Sequence, residues 1–78
     1  LAPDYDIDGK SLFDFLRWAA RETGHELVFS DDELRLAAMR TDLHGSIEGI
    51  APLQSIDSVI ATTSFRYRIE AGRIIVER

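Results

Sequence analysis

Ile7-Asp8-Gly9 returns as Ile47-Glu48-Gly49, an offset of 40 positions (47 − 7). At the same offset Leu16 falls on Ile56, Ala19 on Val59, Ala20 on Ile60 and Thr23 on Thr63. Further on, Leu27 falls on Tyr67 and Phe29 on Ile69. Each copy passes from an extended residue through a Gly turn into an apolar stripe at helical spacing, and then into alternating apolar residues. That is the outline of a β-α-β unit. Two copies predict an α+β domain of two pseudo-repeated β-α-β units, with small sheets packed on two main helices. Such a scaffold presents surfaces and leaves no obvious place for a catalytic constellation.

Working outward, Tyr5 and Ile7 alternate with Asp4, Asp6 and Asp8, the period of a short half-buried strand. Ser11 stands three residues before Asp14, a variant capping box that predicts a helix from about Leu12 to Thr23. Gly24 follows as its left-handed stop. Leu12, Phe15, Leu16, Ala19 and Thr23 form the central stripe, flanked by Phe13 and Trp18, with Asp14, Arg17 and Arg21 on the outer face. An apolar arc this wide predicts a helix covered on two sides, or a partner surface at Phe13 or Trp18. Glu26 to Phe29 reads as a strand. Ser30-Asp31-Asp32-Glu33 places acceptors and negative charge at the start of a short helix, about Asp32 to Met39, with Leu34, Ala37 and Ala38 inward. Thr41, Leu43 and Gly45 share one side of a third strand continuing toward Ile47. Pro52 suits the first turn of the second main helix, whose expected stripe is Leu53, Ile56, Val59, Ile60 and Thr63. Ser64 occupies the place of Gly24, and Thr62-Thr63-Ser64 marks the helix end. Phe65, Tyr67 and Ile69 then alternate with Arg66, Arg68 and Glu70, and Ala71-Gly72 makes a hairpin turn back into Arg73 to Val76.

With 78 residues, the chain is one small domain near the lower end of independent stability. There is no Cys, hence no disulfide framework, thiolate nucleophile or Cys-type zinc site. No apolar run approaches the roughly 18 residues of a membrane span. The chain opens on Leu1 and carries no secretory signal, so residues 1–78 are read as a piece of a longer protein with any targeting segment upstream. The net charge of −5 argues against phosphate-backbone binding. Acids gather early, at Asp4, Asp6, Asp8, Asp31, Asp32 and Glu33, whereas Arg66, Arg68, Arg73 and Arg78 crowd the end. This pattern reads first as solvated surface and, more sharply, as a basic strand face that meets an acidic partner.

Candidate chemistry is sparse. His25 and His44 lie 19 positions apart (44 − 25) outside any metal-spacing motif. Asp31-Asp32-Glu33 lacks the alternate ligand spacing and central Gly of a calcium loop, and serves a helix start instead. No Gly-x-Ser-x-Gly elbow or phosphate-cradling Gly run is present. The Phe65-Arg66-Tyr67-Arg68 run superficially resembles a nucleic-acid-binding strand. Alternation, however, puts its rings and its arginines on opposite faces, so the rings belong to the core. The expectation is a non-enzyme with no cofactor and no metal.

The ordered set of motifs resembles a known family. Tyr5 to Leu12, then Leu16-Arg17, then Ala20-Arg21-Glu22-Thr23-Gly24, is similar to the opening of the secretin and TonB N-terminal short domain (STN). Leu43 to Gly49 resembles its second strand and turn, Ala61 to Tyr67 the close of its second helix and the strand after it, and Gly72 to Val76 its last strand. Leu16-Arg17-Trp18 together with Leu43-His44-Gly45-Ser46 looks most like the C-terminal periplasmic segment of FecR-type sigma-factor regulators. Pro52-Leu53-Gln54-Ser55-Ile56 departs from the Glu-Glu-Ala-Leu type run of many relatives. The resemblance implies a non-catalytic periplasmic interaction domain in cell-surface signalling. It would relay a signal from an outer-membrane transducer, whose periplasmic signalling domain is the expected partner, to a sigma factor. Membrane attachment would come only through a segment outside this fragment. The alternatives are the N-terminal domain of a TonB-dependent receptor or secretin, or a small ligand-binding accessory domain. Contacting residues are expected at Arg66, Arg68 and Arg73, with Trp18 or Phe13 as anchor.

Overall fold

The computed structural model describes residues 7–45 and 51–78, which form α1 (Leu12–Thr23), β1 (Glu26–Phe29), α2 (Asp32–Arg40), α3 (Pro52–Ile60), β2 (Arg66–Glu70) and β3 (Arg73–Glu77). The protein is α+β. Its strands form one three-stranded mixed sheet in the order β1-β3-β2, packed on the helices. β1 runs parallel to β3 with Leu27 beside Ile74 and Phe29 beside Val76, while β2 runs antiparallel with Tyr67 beside Val76 and Ile69 beside Ile74. These six residues share the inner face of the sheet.

Local chemistry explains the elements. Ser11 accepts a hydrogen bond from the Asp14 amide at 3.1 Å and so caps α1, while Asp31 accepts one from the Leu34 amide at 2.9 Å and caps α2. Gly24 closes α1 at φ 72°, and His25 N–H reaches back to the Ala20 carbonyl at 2.8 Å. These are the marks of a left-handed C-terminal cap that glycine enters without a Cβ penalty. Leu12, Phe15, Leu16 and Ala19 of α1 are fully enclosed, together with Ile56, Ile74 and Val76. Burying each large apolar side chain contributes roughly 1.5–3 kcal/mol.

The described part of each repeat is a helix followed by a strand, α1–β1 and α3–β2. Except for Ile7 and Asp8, the expected opening strand around Tyr5 lies outside the described residues, as does the Ile47-Glu48-Gly49 phrase. Among the described residues, the expected third strand is represented by an antiparallel bridge, Ser11 to Asp42. The Gly9 and Leu12 amides donate to the Leu43 and Thr41 carbonyls, and Leu43 N–H donates to Lys10 O. Leu43 is accordingly buried.

In α3, Ile56, Val59 and Ile60 are buried as expected, but the first turn departs from the expected stripe. Leu53, expected inward, is 42% exposed, and Ser55 is fully enclosed in its stead. Ser55 fits because its hydroxyl donates to the Pro52 carbonyl at 2.6 Å, which satisfies its one donor within the first turn. The end of this helix matches the expectation: Thr62 and Thr63 hydroxyls donate to the Val59 and Ile60 carbonyls at 2.7 Å, and Thr63 accepts from Phe65 N–H.

The β2–β3 hairpin turns through two residues, Ala71 at φ 53° and Gly72 at φ 76°. Both positions are left-handed, which favours Asn-Gly over Ala-Gly. Ala71→Asn is expected to stabilise the chain by about 0.5–1 kcal/mol and to raise the melting temperature by several degrees in calorimetry.

Candidate interaction surface

Strand alternation decides where the charged residues go. Arg66, Arg68 and Arg73 all stand on the outer sheet face, away from the helices, because they alternate with Tyr67, Ile69 and Ile74 of the inner face. The structure therefore brings three of the expected contact residues together. The register opposes Arg66 to Glu77 and Arg73 to Glu70, and it sets Glu26 of β1 beside Arg73. Arg68 pairs with Glu70 and lies 3.5 Å from Glu77 through its Nε. The face thus holds both signs in equal number around half-buried Val28 and Ile75, where the sequence had suggested a basic strand face. Arg78 leaves it to lie over the Phe65 ring, 5.7 Å from the centroid.

Phe13 and Trp18 are not part of this face. Both sit on α1. Phe13 is half-buried and stacks on Phe29 at 5.9 Å between centroids, with Arg17 above it at 5.7 Å. Trp18 is 8% exposed and its ring lies 6.0 Å from that of Phe15.

β2 and β1 are the two edges of the sheet. β1 is largely half-buried beside α2, whereas four of the five β2 residues are exposed. Ile69, on the inner face of β2, is 40% exposed. The β2 edge is held to α3 by one polar contact that the sequence pattern did not signal. Tyr67 OH donates to Asp57 Oδ1 at 3.2 Å. Burial, and then the Asp57 carboxylate, push the Tyr67 phenol above its ordinary value near 10.

The sign of that shift sets a pH dependence. Below about pH 10 the phenol is neutral in both folded and unfolded chains, and its stabilising contribution is fully present. Above that value the unfolded chain loses its proton first, so stability falls as pH rises through the folded pKa. Melting temperatures between about pH 9 and about pH 11 should therefore fall more steeply for the native chain than for Tyr67→Phe.

A groove of about 510 Å³ lies between the 41–44 segment and the end of α3, lined by Ile7, Leu43, Val59 and Phe65 and by Thr41, Thr62 and Thr63. Its three threonine hydroxyls donate to helix carbonyls. His44 Nδ1 lies 3.6 Å from Asp8 at the exposed rim, and no cluster of three metal-ligating side chains occurs among the described residues. His25 Nδ1 lies 2.8 Å from the Thr23 hydroxyl. That hydroxyl already donates to the Ala19 and Ala20 carbonyls, so the ring donates to it and His25 serves the helix end. No helix among the described residues is long and apolar enough to cross a membrane. Comparison with protein families, curated proteins and solved structures finds no match to this chain.

Proposed function

We propose that this chain is a non-catalytic periplasmic protein-interaction domain of the FecR-like, STN-domain kind. It engages the periplasmic signalling domain of an outer-membrane transducer through the β2 edge. The observation that supports this reading is the exposure of four of the five β2 residues, with Arg66 and Arg68 on its outer face and Ile69 on its inner face. An edge strand offers unpaired amides and carbonyls to an added strand, and its alternating side chains select the partner. Here the inner side offers an apolar contact at Ile69 and the outer side a patterned set of charges.

The test is an amide-resolved NMR titration with the periplasmic signalling domain of a transducer from the same genome. Shifts concentrated on Arg66–Glu70 are the expected result. Shifts confined to the 510 Å³ groove would instead favour a ligand-binding accessory domain. An unchanged spectrum at high partner concentration would remove that partner.

A further inference from the structure

The outer face of α1 carries a second surface, unrelated to the β2 edge. Lys10, Asp14, Arg17, Trp18 and Arg21 line an open hollow of about 310 Å³. Three cations and one carboxylate give it a net charge of +2 in a chain of net charge −5. Among the described residues, none of Lys10, Arg17 and Arg21 has a carboxylate within ion-pair distance, although Asp14 lies only three residues from Arg17. Elsewhere, Arg68 pairs with two glutamates and Arg35 with Asp32, and the strand register sets Arg66 opposite Glu77 and Arg73 opposite Glu70. The hollow thus carries a local excess of positive charge in an acidic chain.

Arg17 and Arg21 stand one turn apart, with about 5–6 Å between their Cβ atoms. Alternate residues of an extended chain are separated by about 6.6 Å, so two carboxylates at that spacing match the two guanidinium forks. Arg17 is held in place by lying over the Phe13 ring, and Phe13 is fixed in turn by Phe29. Trp18 forms a firm apolar floor, packed on Phe15. We infer that this hollow is a docking site for an acidic peptide segment of a protein partner, read by Arg17 and Arg21 with Lys10 at the helix start. The proposal is independent of the β2 edge.

Trp18 is the only tryptophan in the chain, so its fluorescence reports directly on the hollow. The probe is a short oligo-glutamate peptide, with an oligo-lysine peptide as control. Oligo-glutamate is expected to change Trp18 emission saturably at low ionic strength, and oligo-lysine to leave it unchanged. Raising salt to about 0.5 M should weaken the interaction roughly tenfold or more, because exposed charges are screened at short range. Lys10→Glu with Arg21→Glu should abolish the response at an unaltered circular dichroism spectrum. If that variant fails to fold, Arg21→Gln serves in its place. Asp14→Asn should act in the opposite direction and strengthen binding, a result that a purely structural role would not give. The proposal is overturned if Trp18 emission ignores oligo-glutamate, or if folded charge variants bind it as the native chain does. Concentration-dependent self-association abolished by the same variants would also overturn it, by making the occupant a second copy of this chain.

Discussion

Phe15→Ala is expected to lower the melting temperature by roughly 15–30 °C, the largest loss from any single truncation considered in this chain. Phe15 is fully enclosed at the centre of α1, against Trp18 and among the residues that join the helices to Ile74 and Val76 of the central strand. Truncating such a ring costs about 3–5 kcal/mol, from lost transfer energy and from the cavity left behind. A chain of 78 residues has a total stability of roughly 4–12 kcal/mol at the usual increment per residue. The substitution therefore removes a quarter to all of what holds the fold. Thermal unfolding followed by circular dichroism measures the loss directly. Leu53→Ala is the comparison that tests the packing of the first turn of α3: Leu53 is 42% exposed, so its truncation should cost less than about 1 kcal/mol. Equal losses at the two positions would contradict the packing described above.

The contrast between Phe15 and Leu53 shows which features were legible in the sequence. α1 and α2 were readable because their signals are local. Ser11 and Asp31 each place a side-chain acceptor within reach of an amide three residues on, and Gly24 alone supplies the left-handed stop. The faces of β2 were equally readable, since alternation puts Phe65 and Tyr67 opposite Arg66 and Arg68. α3 was harder. Helical spacing admits both Leu53 and Ser55 at the margins of its stripe, and only the surrounding elements decide which is covered. The pairing of β1 with β3 across α2, α3 and β2 left no local trace, because parallel neighbours so distant in sequence are joined by tertiary packing alone. At the candidate surface, gathering Arg66, Arg68 and Arg73 on one face followed from alternation. Its charge balance was also implicit. A two-residue turn at Ala71-Gly72 sets Glu70 opposite Arg73, and the same register carries Glu77 to Arg66. The Tyr67–Asp57 contact and the unpaired cations of α1 depend on how separate segments meet, which periodicity does not report.

On the proposed reading, Arg68→Glu should weaken binding of the transducer's signalling domain about a hundredfold, since placing like charges together at an interface costs several kcal/mol. The same change disturbs the free chain, because Arg68 pairs with Glu70 and lies near Glu77, and a glutamate there would set three carboxylates side by side. At these half-exposed positions the loss of folding stability should be about 1 kcal/mol. A fall in binding alone would therefore be ambiguous. Combining Arg68→Glu with Glu77→Arg restores opposite charges between positions 68 and 77, although the new arginine then faces Arg66, and should recover part of the stability. If the partner reads the pattern of charge along the β2 edge, binding should stay weak in this exchanged pair. Recovery of binding together with stability would instead mean that Arg68 acts only by holding the hairpin. Because the face carries both signs in equal number, association should also depend only weakly on ionic strength. Selectivity along β2 would then come from the order of charges, with affinity supplied by the backbone of the added strand.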